Sequence, residues 1–241
     1  MNRGGLGWLA YPWGDGRERI VTIGDSGATP LLLLAPLFEE ANRTRHFLIE
    51  TMRGLAARGF RCFLPDLPGT LESITPIDGV AWTDWHAAIA RSADAIGSPF
   101  HIASLRGGAL LDGGVMAQSR WRLAPVTGEA LLRELIRTRM AADREDGLPE
   151  LAASIEAKAL SDGLEVAGYR LGAPLLAGLK ATNVASGGAI RTIRLESDPH
   201  EADIKVSGTP LWRNSEPSHY PALSQYLVSD IADWISECVN G

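Results

Sequence analysis

At 241 residues, 45% hydrophobic and 22% charged, the chain has the apolar content of one α/β domain, or of one such domain carrying an insertion. A net charge of −6 without a clustered basic stripe excludes a nucleic-acid footprint. Cys62 and Cys238 form neither a disulfide framework nor a C-x-x-C metal site, so a reducing cytoplasm is the expected setting.

The opening stretch, MNRGGLGWLAYPWGDGRERI, lacks the apolar core of a signal peptide, and the longest apolar run, PLLLLAPLF, is too short to cross a bilayer. GWLAYPW and RERIVTIG flank GDG and read as a β-hairpin. TPLLLLAP is a continuous apolar run of strand length, as expected of a strand covered on both faces. RHFLIETMRGLAARG has helical spacing at Phe47, Leu48, Met52, Leu55 and Ala56 and stops at Gly59. FRCFLPDLPG is the next strand and turn, with Cys62 as a small buried hydrophobe and Asp66 and Gly69 as turn residues. WTDWHAAIARSADAIG reads as a helix capped by Thr83 and ended by Gly97. FHIASL is again a strand, and GGALLDGGVMAQ a helix that starts on glycines; RWRLAPV continues as a strand.

From Gly128 to Lys180 the pattern turns helical, with amphipathic GEALLRELIRTRMAADRE and LPELAASIEAKAL followed by EVAGYRLGAPLLAGLKA. AIRTIRLES and EADIKVSG resume the sheet, and ALSQYLVSDIADWISECV is the last helix. Strands alternating with helices imply a mostly parallel sheet covered on both faces. The expected division is a core of 1–127 and 181–241, with 128–180 as an all-helical cap over a pocket. Trp82, Trp85, Trp121, Trp212 and Trp234 fall at core-like spacings. No dinucleotide fingerprint, phosphate loop or His/Cys metal spacing is present, so no cofactor is implied.

The turn SLRGG after the FHIASL strand has the layout of a nucleophile elbow, G-x-S-x-G, with Ser104 in the first glycine position and Arg106 in the nucleophile position. The order of elements resembles the α/β-hydrolase fold. FEEANRTR, ARGFRCFLPDLPG, SLRGGALL, PVTGEALLRELIRTRMA and EVAGYRLGAPLLAGL further resemble the second type of exosortase A system-associated hydrolases. That resemblance spans about residues 30–180 and implies a link to exopolysaccharide loci, with little about substrate.

In such a fold the acid follows a late strand and the histidine precedes the last helix. Asp198 in RTIRLESDPH and His219 in WRNSEPSHYPALSQ occupy those places; His200 follows its strand too closely to be preferred. The oxyanion donors would be the backbone N–H of Leu37 or Phe38 and of Gly107. An arginine is no nucleophile, because its guanidinium stays charged and carries no acceptor. Three readings of Arg106 stay open. It forms a structural ion pair with Glu39, Glu40 or Asp198; it binds an anionic ligand; or the register shifts and Ser104 is the nucleophile. Glu39, Glu40, Asn42, Arg43 and Arg45 stand together at the sheet's mouth, either as ligand groups or as a solvated helix start with Asn42 as N-cap. Two functions are open. One is an esterase- or thioesterase-like hydrolase taking a small acyl or anionic molecule, with water activated by His219. The other is a ligand- or partner-binding member whose nucleophile is gone.

Overall fold

The strand runs assemble into one eight-stranded sheet in the computed structural model, which describes residues 5–97, 99–148, 150–214 and 220–240. In chain order the strands are β1 (Leu6–Trp13), β2 (Gly16–Ile23), β3 (Thr29–Leu34), β4 (Phe60–Pro65), β5 (His101–Leu105), β6 (Arg120–Leu123), β7 (Leu164–Val166), β8 (Tyr169–Leu171), β9 (Ile190–Leu195) and β10 (Ile204–Val206). The large sheet has the order β1-β2-β4-β3-β5-β6-β9-β10, and β7 and β8 pair apart from it. Only β2 runs antiparallel to its neighbours within the sheet's body; β3 to β6, β9 and β10 are mutually parallel.

The four leucines Leu31 to Leu34 show why an unbroken apolar run works here. Strand side chains alternate between faces. Leu32 and Leu34 therefore join Phe63 and Ile102 in one core layer, while Leu31 and Leu33 join Cys62, Ala103 and Leu105 in the other. All four are buried, each stabilising the fold by about 1.5–3 kcal/mol of apolar transfer. Helix α1 (Glu39–Ala57) and helix α6 (Pro221–Asn240) pack on each other over the second layer. Asp230 of α6 is tied to the sheet by the Trp121 indole N–H at 2.7 Å and by the Arg191 fork.

Helix α2 (Trp82–Ile96) covers the first layer together with α3 (Gly128–Glu145), α4 (Ala152–Asp162) and α5 (Ala173–Ala181). Leu131, Leu132, Leu175, Leu176 and Leu179 share one core with Trp82, Trp85 and Ile102, so the 128–180 segment rests on the sheet's own core. Gly128 starts α3 where a side chain has no room: a Cβ would lie 1.7 Å from the Leu179 carbonyl oxygen, and the Gly128 N–H donates to Thr182 O.

Three sequence expectations are corrected. The 128–180 segment is not all-helical, because β7 and β8 form a two-stranded hairpin around Ala167–Gly168. Thr83 does not cap α2; Ala81 stands at the N-cap, and its N–H is received by the Asp84 carboxylate at 2.8 Å. The glycine-led helix after β5 is replaced by two short 3-10 turns, Arg106–Leu110 and Asp112–Gly114. Four glycines within eight residues weaken helix propagation there. A buried Asp112, pinned by Arg122, fixes the turn instead.

Candidate functional site

β5 ends at Leu105, paired with Leu123, and the chain then turns sharply at Arg106, which holds φ 53. That left-handed conformation is uncommon for a residue with a Cβ and persists only where surroundings enforce it. The enforcement is visible two residues on. A Cβ at Gly108 would lie 2.6 Å from Leu34 O and 2.5 Å from Ala35 O, so the turn is jammed against the end of β3 and only glycine fits.

Arg106 is 6% exposed and its guanidinium is shared among three elements. Its Nε donates to both Glu40 oxygens at 3.2 Å, and its Nη2 donates to Glu40 Oε1 at 2.9 Å and to Glu134 Oε2 at 3.0 Å. The indole of Trp212, from a turn after β10, lies under it with the guanidinium carbon 4.8 Å from the ring centre. Glu40 comes from the first turn of α1 and Glu134 from α3. Burial pushes the Glu40 carboxyl above its usual range and the charge of Glu134 acts the same way, while Arg106 pulls back. Burial works against the charge on Arg106, but Glu40 and Glu134 outweigh it and hold the guanidinium charged.

Ser104, two residues back in β5, is fully buried, and its Oγ donates to Asp112 Oδ2 at 3.0 Å. The same carboxylate receives Arg122 Nε at 2.8 Å and Nη2 at 2.7 Å. This hydroxyl belongs to a buried polar network beneath the elbow. Asp198 follows β9 and accepts from Arg194 Nη1 at 2.7 Å, from His200 N at 3.0 Å and from the His200 ring Nδ1 at 2.7 Å. Burial works upward on Asp198, but the His200 and Arg194 hydrogen bonds prevail and bring it down to about 2. His219 lies outside the described residues.

Leu37 and Phe38 are buried against the elbow, and Phe38 precedes α1 with φ 57. Their slot, lined also by Leu34, Pro65, Leu67 and Leu111, has a volume of about 30 Å³. Gly107 faces Leu37 and Leu131. Glu39 opens α1, whereas the ion pair uses Glu40. Asn42 is not the N-cap: it lies within α1, and its Nδ2 donates to the Tyr169 hydroxyl at 3.0 Å, tying α1 to the β7–β8 hairpin. Arg43 donates to Trp212 O at 3.3 Å, and Arg45 pairs with the buried Asp66 at 3.0 Å.

Arg106 and Asp198 do meet at one cavity. It has a volume of about 540 Å³ at the carboxyl ends of the strands, and its wall includes Arg133, Glu134, Arg194, His200, Trp212 and Arg213. Glu134, Trp212, Arg133 and Arg213 have no local sequence signal that marks them as site residues. His200 stands beside Asp198 in the sequence, but its closeness to the strand favoured His219. Among the described residues no group of three or more His, Cys, Asp or Glu side chains could hold a metal ion. None of the described helices is long and apolar enough to cross a membrane.

No family model and no curated protein matches the sequence. Solved structures do. Est1E from Butyrivibrio proteoclasticus superposes with a TM-score of 0.62 at 14% identity, over 98% of this chain and 100% of that one. A structure described as ferulic acid bound to Est1E gives 0.65 at 12%, over 97% and 100%. A thioesterase domain from the curacin biosynthetic pathway gives 0.57 at 12%, over 96% and 99%. The chain has the α/β-hydrolase fold.

Within an α/β-hydrolase fold the strained turn after the elbow strand presents the nucleophile. Here the turn with positive φ holds Arg106, whose donors go to Glu40 and Glu134.

Proposed function

We propose that the chain is a non-nucleophilic, ligand-binding member of the α/β-hydrolase fold. Its site is the 540 Å³ cavity beside the elbow, and residues 128–180 act as a cap that contributes Ala130, Arg133 and Glu134 to the wall. The observation that carries this reading is Arg106 at φ 53, closed onto Glu40 and Glu134. Loss of the nucleophile from a serine triad costs on the order of a million-fold in turnover, so the remaining groups cannot sustain ordinary esterase rates. Resemblance to the exosortase A system-associated hydrolases would give the protein a cytoplasmic role beside exopolysaccharide assembly, as a binder of a small acyl or anionic molecule.

The esterase- or thioesterase-like reading is supported by the likeness to Est1E and to a thioesterase domain, and by the carboxylate of Asp198 after β9, in the acid position of the fold. Hydrolysis of short-chain p-nitrophenyl esters separates the two. The binding reading expects no turnover above the blank, unchanged in an Arg106→Ala variant. Turnover by the wild type that the variant loses would establish the hydrolase instead.

A further inference from the structure

The charges around the cavity do not cancel. Its wall carries four arginines, Arg106, Arg133, Arg194 and Arg213, against Glu134 and Asp198. Counting Glu40, which forks Arg106 from behind, there are four guanidiniums and three carboxylates. In a chain of net charge −6 this is a local reversal of sign.

The four arginines differ in what they are free to do. Arg106 is held by Glu40, Glu134 and the Trp212 ring. Arg194 gives Nη1 to Asp198, Nη2 to Pro125 O and Nε to Glu201 O. Arg133 and Arg213 are exposed, and their guanidiniums have no ion-pair or hydrogen-bond partner among the described residues. They reach the cavity from different elements, Arg133 from α3 and Arg213 from the turn after β10. His200 lines the cavity as well, its ring fixed through Nδ1 on Asp198. Much of the remaining wall is apolar, with Pro125, Val126, Pro199, Pro210 and the Trp212 indole, and Thr127 and Ser197 add hydroxyls.

A concave site of this size suits a small organic molecule, and most such sites fix orientation with a few polar groups on an apolar wall. Unpaired guanidiniums select oxyanions, because their forked N–H groups match the oxygens of phosphate or carboxylate. We propose that this cavity binds a small molecule bearing a phosphate or carboxylate group, gripped between Arg133 and Arg213 with its body against Pro125, Pro199 and Trp212. The inference rests on the binding reading, in that it takes the cavity and not the elbow as the working site. The amino end of α3, at Thr127 and Ala130 on the same wall, attracts negative charge in the same direction.

The test is calorimetric titration of the full chain at constant ionic strength with two probes, inorganic phosphate and galacturonate, which separate the phosphate from the carboxylate form of the ligand. Binding of either probe is expected, weakened roughly tenfold or more for each arginine removed in Arg133→Ala, Arg213→Ala and the double variant. Both side chains are exposed, so the variants should fold as the wild type does. Arg144→Ala removes the same charge from α3 away from the cavity and is expected to bind normally. The proposal is overturned if neither probe binds, if the double variant binds as tightly as the wild type, or if Arg144→Ala weakens binding equally. Ester turnover plays no part in this readout, so a hydrolytic result would overturn the binding reading while the titration still decides the anion site.

Discussion

Two arginine–carboxylate clusters flank the elbow, and they are built differently. Below it, a buried Asp112 meets two arginines: Arg122 forks it and gives Nη1 to Ala185 O, Arg120 stands 3.9 Å from Oδ1, and Ser104 donates to the same carboxylate. Above it, Arg106 faces two carboxylates, Glu40 and Glu134, and borders a cavity. In the lower cluster the carboxylate is fully buried and is satisfied by two arginines and a hydroxyl, which is what a structural site requires once desolvation is counted. The upper one carries a surplus carboxylate and stands where this fold places its chemistry. Two guanidiniums close on one buried carboxylate below, whereas two carboxylates share one guanidinium above, and Glu134 there stands partly exposed on a cavity wall.

The widest gap between the clusters should appear on truncation. Arg122→Ala leaves the buried Asp112 carboxylate with only Ser104 and the more distant Arg120, and is expected to cost about 3–5 kcal/mol in urea unfolding. Arg106→Ala should cost less, about 1–3 kcal/mol, because Glu40 can take up a proton and Glu134 is partly exposed. If the two losses were equal, the upper cluster would be as structural as the lower. Arg106→Gly sharpens the point: it removes the same ion pairs but suits φ 53, so it should be more stable than Arg106→Ala by about 1 kcal/mol.

Glu40 adds a dependence on pH. Its folded-state carboxyl is raised above the unfolded value of about 4.3, so the folded chain holds the proton more tightly. Its contribution is fully present below that value and is lost as pH rises through the folded value. Glu40→Gln should flatten this part of a stability–pH profile, and an unchanged slope would show that the proton resides elsewhere. The smallest effect is expected at Thr127, whose Oγ1 receives the Ala130 N–H at 3.2 Å and caps the helix that carries Glu134. Thr127→Ala should cost about 1 kcal/mol and leave the Asp112–Arg122 pair untouched.

The architecture was legible because the sheet's strands are written as apolar runs. Leu31–Leu34 and the His101–Leu105 stretch must be covered on both sides, and helical periodicities between them supply the covers. The elbow was legible too, through two glycines after a strand. The conformation of residues 106–114 was not: this glycine-rich turn takes its shape from Asp112 meeting Arg122, a pairing between segments with no local pattern. The same holds for Glu134 and Trp212, which reach Arg106 only through packing of α3 and the β10 turn. Asn42 misled because its type favours N-caps, whereas here its amide finds Tyr169. The hairpin in 164–171 hid within a segment whose flanks are strongly helical.

The most direct measurement is intact-mass spectrometry after treatment with a serine-directed fluorophosphonate, with peptide mapping of any adduct. With Arg106 locked at the elbow and Ser104 sealed against Asp112, no adduct is expected at the elbow. A stoichiometric adduct on Ser104 would contradict a non-nucleophilic site, since it would show that the chain turns its elbow to present a nucleophile after all.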